Sequence, residues 1–514
     1  MISKVNRSIQ YFFYSLAIFC FIVAIASTIL FPRTFNVYGL YRATASLSKI
    51  QVINVLCLLA AISFFPIIKL IHKKEFHLSD NKLRFLLLIE CIIYIIIFNL
   101  FIRYYNIQHL IDDSALTFQA ALQVKNKFNL GSYMYNCPGN LLLLYVYRII
   151  IMFGGTNLYY IVNVFLGIYL LTIFISYKVL KQFNINNVNL FISIQVLFVG
   201  IQIFFHVAVA YTDILMLFFI SGSLLLFIKY IKSSNLLLLI SSSIVAFIAY
   251  LSKGTALIYV LALVVSLLVI ETKKRKISFF IPAVVFIVGT VTWSIFVSSQ
   301  HIYTDNNYGL PNTHYLMMGT SNSKIPEQLS KEQKAKIIVG GYNNTDFQYT
   351  DKLFTDKKLS KQDVSQKNIK VLKHRLSSLT ALEFIKFIMR KISSTWSSGD
   401  LKSTANFGAE LSTGSSKLVQ FEHGPEALVL YAVMQTTQLI VYLVLILSFI
   451  RYFKAHNKIV MFSAIYCVGY FAFLLIWEAN PRYTLGVFPS AIILMALYFN
   501  KTVLDTPNNL SRTP

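Results

Sequence analysis

Apolar runs near 20 residues recur along most of this chain, each long enough to cross a hydrocarbon core of about 30 Å as a helix. Inside lipid every backbone N–H and C=O must find its partner within the protein, so only helices and closed barrels are admissible there. The runs are dense in Leu, Ile and Phe rather than alternating, which excludes a barrel. Only 13% of residues are charged and the mean hydropathy is +0.63, against about 25% charged in soluble domains. The first run follows Lys4 and Arg7 and lacks a small-residue cleavage site after it, so it reads as an anchor. Four of the five cysteines, Cys20, Cys57, Cys91 and Cys467, sit inside apolar runs, and Cys137 stands apart. That arrangement offers neither a disulfide framework nor zinc spacing.

The expected spans lie near 9–31, 47–71, 83–103, 157–179, 187–206, 212–231, 235–251, 254–271, 278–297, 426–452, 458–476 and 483–500. The run 139–154 is short and contains Arg148. Charge parity decides how to treat it. Lys73, Lys74, Lys82 and Arg84 mark one loop, Lys273, Lys274, Arg275 and Lys276 another, and Arg451, Lys454 and Lys458 a third. All three are cytoplasmic, as the positive-inside rule requires, only if 139–154 lies in the outer interface instead of crossing. The same choice puts Lys178, Lys181, Lys229 and Lys232 inside. The sequence therefore predicts an all-α polytopic cell-membrane protein with about twelve transmembrane helices and both termini cytoplasmic.

This topology divides the chain into an N-terminal membrane module (1–297) with an amphipathic outer loop at 104–156, an extracytoplasmic segment at 298–425, and C-terminal membrane helices at 426–514. The 298–425 segment is expected to form a small mixed α/β domain. Within it 381–394 has Leu382, Phe384, Ile385, Ile388, Met389 and Ile392 at helical spacing. The net charge of +25 does not indicate nucleic acid, because the basic residues sit in short loops and in this polar insert, with no basic helix or aromatic-interleaved ribbon.

Four groups of ionisable residues fall on the outer side. Asp112 and Asp113 are adjacent carboxylates close to a span. A charge at the bilayer centre costs about 2.5–3.5 kcal/mol, so such a pair faces water, a metal or a cation, or caps a helix. Asp213, in Tyr211-Thr212-Asp213, is a lone acid at a turn and is either functional or an N-cap. Lys253, in Ser252-Lys253-Gly254-Thr255, is a cation on the side where the positive-inside rule disfavours one. It either meets an anion or snorkels. Glu478 and Arg482, in Trp477-Glu478-Ala479-Asn480-Pro481-Arg482-Tyr483, either clamp one another or leave the guanidinium to a phosphate.

Taken together, these motifs resemble the GT-C superfamily of membrane glycosyltransferases, closest to the protein-mannosyltransferase-like branch of Gram-positive bacteria. The resemblance covers most of the chain. Asp112-Asp113 is similar to the family's acidic motif, and Asp213 to its second acidic turn. Tyr135-Asn136-Cys137-Pro138-Gly139 resembles a Tyr-Pro-Pro-Gly-type turn, from which Cys137 departs. Ser252-Lys253-Gly254 resembles its Lys-Gly turn, and Glu478 through Tyr483 its closing segment. His314 through Gly319 and Gly341-Tyr342-Asn343 resemble motifs of the outer domain.

The resemblance implies transfer from a polyprenyl-phosphate sugar donor to an extracytoplasmic acceptor: a cell-envelope glycan, a glycolipid or a protein. A glycosyl phosphate already carries a good leaving group. The remaining tasks are to deprotonate an acceptor hydroxyl, a carboxylate's work, and to stabilise charge on the departing phosphate, which fixed cations do in a dry site. Asp112, with Asp113 second, is the expected general base. Asp213 joins the catalytic set, Arg482 and Lys253 bind phosphate, and Glu478, Tyr483 and Tyr135 orient. Adjacent acids equally suit a divalent cation, so metal dependence stays open. A lipid-linked glycan transporter would place ionisable residues near the midplane at broken helices. A polysaccharide polymerase or ligase would rely on outer Arg and His, and a scaffold would need none of these groups.

Overall fold

The computed structural model describes residues 2–32, 46–73, 78–107, 110, 112–123, 131–270, 277–300, 302–303, 308–403, 425–455 and 457–500. Among them there is no β-strand. The basic loop Lys273, Lys274, Arg275 and Lys276, with Lys74, lies outside the described residues.

The membrane module begins with α1 (Ile2–Leu30), α2 (Leu47–Lys73) and α3 (Asp80–Tyr104). Three short helices follow: α4 (Asp112–Gln123), α5 (Gly131–Asn136) and α6 (Leu141–Gly154). Next come α7 (Leu158–Leu180), α8 (Asn187–Phe198), α9 (Ile201–Val209), α10 (Thr212–Ser233), α11 (Leu236–Ser252), α12 (Leu257–Ile270) and α13 (Phe280–Ser299). The polar insert carries α14 (Asn312–Met318), α15 (Lys331–Lys336), α16 (Asn344–Thr355), α17 (Lys361–Ser377) and α18 (Ala381–Trp396). The described residues end in α19 (Pro425–Arg451), α20 (Lys458–Ile476) and α21 (Phe488–Phe499), the last entered through a 3-10 helix at Pro481–Val487.

Nine described helices are long and apolar enough to cross a membrane, or ten when α8 and α9 count as one span. The sequence predicts about twelve, and the difference is physical. Leu236–Ser252 and Gly254–Ile270 are apolar but shorter than a full span. The expected single span at 187–206 is a pair bent by 49°. The bend falls at Gly200, where a Cβ would lie 2.6 Å from the Val196 carbonyl oxygen. The α6 helix is 14 residues long, also shorter than a full span.

One end of the bundle collects the basic residues. Lys181 Nζ lies 2.7 Å from Asp80 Oδ1, and Lys232 donates to the Gln182 carbonyl. Arg451 donates to the Asn500 carbonyl at 2.9 Å, and Gln10 reaches the Ala455 carbonyl at 2.8 Å. Asparagine and serine side chains cap the helices that start there: Ser79, Asn186, Asn235 and Asn457. Each satisfies an orphan N–H of a first turn.

The mixed α/β domain expected at 298–425 holds helices and connecting turns and no strand among its described residues. Its long helices begin with side-chain caps, Asn343, Ser360 and Thr380, so each N-terminus is locally encoded. The β reading fails because the insert lacks alternating apolar runs, the signal that a half-buried strand would carry. Its interior is polar in part. Arg375 grips Asp346 through two bonds of 2.8 and 2.7 Å, and His314 Nδ1 lies 2.8 Å from Thr350 Oγ1. His314 is thus a core residue of this domain. The amphipathic helix predicted at 381–394 forms as α18, but only part of its apolar face is covered. Leu382, Phe384 and Ile385 stay exposed, while Phe387, Ile392 and Trp396 are buried. The far end of α18 joins the bundle, where the Ser393 hydroxyl donates to the Phe31 carbonyl at 2.6 Å.

Candidate functional site

Four separate turns meet at the end of the bundle opposite the basic residues. Asp112 and Asp113 open α4. Tyr211 precedes α10, and Asp213 lies in its first turn. Lys253 follows α11. Trp477–Tyr483 joins α20 to the last span.

The Arg482 guanidinium holds the turns together. Its Nη2 lies 3.2 Å from Asp113 Oδ2, and its carbon stands 5.1 Å from the centre of the Tyr211 ring and 5.9 Å from that of Tyr483. A planar cation suits both contacts, since it pairs in its plane and stacks on its face. The backbone beneath is fixed by Asn480, whose Oδ1 accepts from the Arg482 N–H at 3.3 Å. The Tyr211 hydroxyl lies 3.3 Å from Asp113 Oδ2 and 3.0 Å from Asn140 Oδ1, and its one proton serves one of them at a time. Asn140 in turn donates to the Tyr133 hydroxyl.

Lys253 and Asp213 form a buried ion pair. The ammonium also stands 5.0 Å from the Tyr483 ring centre. Burial pushes the Lys253 ammonium down from its ordinary value, against the Asp213 carboxylate that holds it up. Asp213 sits in the first turn of α10, where the helix dipole favours a negative charge. Its second oxygen, Oδ2, has no hydrogen-bond partner among the described residues. Glu478 is 6% exposed. Burial raises its carboxyl, against the pull of Lys402 and Arg482.

The two members of the acidic pair differ. Asp113 is engaged by Arg482 and Tyr211, with its side chain 35% exposed. Asp112 is exposed and enters α4 at φ 46°, a left-handed backbone that Asp tolerates better than most residues. Both acids act through space on the Lys402 ammonium, which burial lowers.

The structure brings together Asp113, Asp213, Lys253, Arg482 and Tyr483, with Asp112 and Glu478 coupled to the group through space. Tyr135 is placed by both its ring and its backbone. That ring lies 6.4 Å from Tyr303, and its carbonyl accepts from the Gly309 N–H at 2.7 Å, so it belongs to the wall between α5 and the insert. Cys137, the departure from the expected turn, has its thiol pushed up to about 12 by burial, so it stays neutral. No group of three His, Cys, Asp or Glu side chains placed to hold a metal occurs among the described residues.

Sequence reasoning passed over Tyr133, Asn140, His206 and Lys402. His206 is buried near Asp213, Lys253 and Arg482; a lone His in an apolar run reads as core. Lys402 follows Ser397-Ser398-Gly399-Asp400, which reads as loop. Left-handed turns at Leu401 and Lys402 (φ 52° and 58°) aim it back at the cluster.

The fold and site define an all-helical, polytopic integral membrane protein whose loops assemble a mixed-charge cluster at one end of the helices. Residues 1–503 match the family described as conserved hypothetical integral membrane protein, and the chain belongs to that family. No curated protein and no solved structure matches the chain.

Proposed function

We propose that this protein is a membrane glycosyltransferase of GT-C type. It moves a sugar from a polyprenyl-phosphate donor to an extracytoplasmic acceptor, in one inverting step with Asp112 as general base. The observation that carries this reading is the meeting of Asp113, Arg482, Asp213 and Lys253, from turns far apart in sequence, at one end of the bundle. In the reaction the acceptor hydroxyl passes its proton to Asp112 and its oxygen attacks the anomeric carbon. The bond from that carbon to the phosphate oxygen breaks, and polyprenyl phosphate leaves. Arg482, Lys253 and Lys402 offset the charge on the departing phosphate. Asp113 orients Arg482, and Asp213 keeps Lys253 charged.

The test is transfer from a polyprenyl-phosphate sugar in liposomes, with donor binding measured separately. Arg482→Lys keeps the charge and loses the planar fork. It should weaken donor binding and lower kcat together, because the lysine cannot pair with Asp113 and lie on Tyr211 at once. Unchanged binding and turnover would remove Arg482 from the phosphate site.

This reading puts the charged cluster and the insert outside the cell, with the lysine-rich end inside. In a cysteine-free background, a membrane-impermeant thiol reagent should label Cys at Asn344 and Gln362 in intact cells. It should leave Cys at Lys229 and Lys454 unmodified until the membrane is opened. The reverse pattern would overturn the orientation and with it the extracytoplasmic acceptor.

One observation favours a second reading. The bent α8–α9 pair suits a lipid-linked glycan transporter, since transporter sites form at broken helices near the midplane. The ion pairs here lie at the ends of spans, away from Gly200, and that is why transfer is preferred.

A further inference from the structure

Glu478 sits on an irregular stretch, Trp477–Asn480, between two membrane helices. Without a hydrogen-bond ladder of its own, such a stretch keeps its course only if its neighbours fix it. The neighbours here belong to the polar insert. Tyr315 stacks on Trp477 with ring centres 5.1 Å apart at 16°. The Ala479 N–H donates to the Gly340 carbonyl at 2.6 Å. Gly319 and Gly340 pass so close that side chains are excluded. A Cβ on Gly319 would lie 2.5 Å from the Ile476 carbonyl oxygen and 2.8 Å from that of Trp477. A Cβ on Gly340 would lie 2.8 Å from the Gly319 carbonyl oxygen and 3.1 Å from Lys391 Cε.

Beneath this contact lies Lys391 of α18, 1% exposed, whose ammonium donates to the Gly319 carbonyl. A lysine is a costly filler for a buried position, since its charge must be desolvated. An apolar side chain would fill the space without that cost. It would not supply a directed bond to Gly319, nor attraction toward the buried Glu478 carboxylate. Burial pushes the Lys391 ammonium down to about 7, and Glu478 is the charge that holds it up.

We propose that Lys391 is a positioning residue: by clamping Gly319 and Gly340 against Trp477–Ala479 it fixes Glu478 beside Arg482, so that the insert supplies one wall of the site. The kinetic part of this claim rests on the transferase reading; the positional part does not.

The experiment uses the full-length protein labelled with 5-fluorotryptophan. Its three tryptophans give three fluorine signals, and Trp293, on α13, is the internal reference. Lys391→Met keeps the length of the side chain and removes the charge. In the folded variant the Trp477 signal should shift while that of Trp293 stays. Turnover should fall about 10–100-fold, as for a small misplacement caused away from the reacting atoms, with the donor KM changed less than kcat. A folded Lys391→Met protein with the parental Trp477 signal and parental kcat would overturn the proposal. If that variant does not fold, Tyr315→Leu releases the same segment from the insert and should give the same two effects. Parental kcat with a displaced Trp477 signal in Tyr315→Leu would overturn it as well. If the parental protein transfers no sugar, the transferase reading fails, while the Trp477 signal still decides whether Lys391 fixes the segment.

Discussion

Asp112→Asn is expected to lower kcat for sugar transfer by about 10²–10⁴-fold, the usual contribution of a general base, while donor binding is retained. The substitution keeps the size of the side chain and removes the proton acceptor, so it separates chemistry from packing. The expectation falls on Asp112 because it takes the leading place in the acidic pair that resembles the family motif. Asp113 accepts from Arg482 at 3.2 Å and from Tyr211 at 3.3 Å. A carboxylate held by a cation is a weaker base, and its loss would release the guanidinium. Asp113→Asn should therefore reduce donor affinity and kcat together. Single-turnover measurements with saturating donor distinguish the two patterns. Near-parental turnover in Asp112→Asn with a pure kcat defect in Asp113→Asn would move the base to Asp113. Near-parental turnover in both would leave the pair as a helix cap and end the transferase mechanism drawn here.

Asp213→Ala is expected to destabilise the folded protein by about 3–5 kcal/mol, the cost of breaking a buried ion pair from one side. Asp213 is 1% exposed and Lys253 8% exposed, so water cannot take over the abandoned ammonium. Asp213→Leu combined with Lys253→Met removes both charges. It should recover most of the stability, because a buried pair is often replaceable by apolar residues of similar volume. It should not recover transfer, since the phosphate loses Lys253. Reversible unfolding in mixed detergent measures the first effect, and the liposome assay measures the second. A single variant within about 1 kcal/mol of the parent, the range of exposed pairs, would show the pair to be solvated and remove its role in the site.

Much of the fold is written in local patterns. Runs of apolar residues near 20 long mark the spans because lipid forces each backbone to satisfy itself within its own helix. The shortness of 139–154 and the placing of Lys178, Lys181, Lys229 and Lys232 are what make the sequence expect α6 to lie in the interface. The same local logic caps α18 with Thr380 and Glu383. The candidate charges Asp112, Asp113, Asp213, Lys253, Glu478 and Arg482 stand out for a like reason, because an ionisable residue beside an apolar run needs water, a partner or a helix end.

Which of those charges touch is a matter of tertiary structure alone. Arg482 and Glu478 stand four residues apart and invite pairing, yet the guanidinium pairs with Asp113, 369 positions away. No periodicity encodes such a contact. It follows from how α4, α10 and the last span pack, and from the stacking surface that Tyr211 provides. The bend at Gly200 is of the same kind, since an uninterrupted apolar run carries no mark of where its helix turns. Lys391 and Lys402 were invisible because a lysine in a polar insert reads as solvated. Only burial against Gly319, and a left-handed turn after Asp400, convert them into charges aimed at the site. Hydropathy and run length suffice to read the chain as a bundle of membrane helices and to single out the ionisable residues beside its spans. The tertiary structure decided which of those residues meet, because burial and partner choice depend on elements hundreds of residues apart.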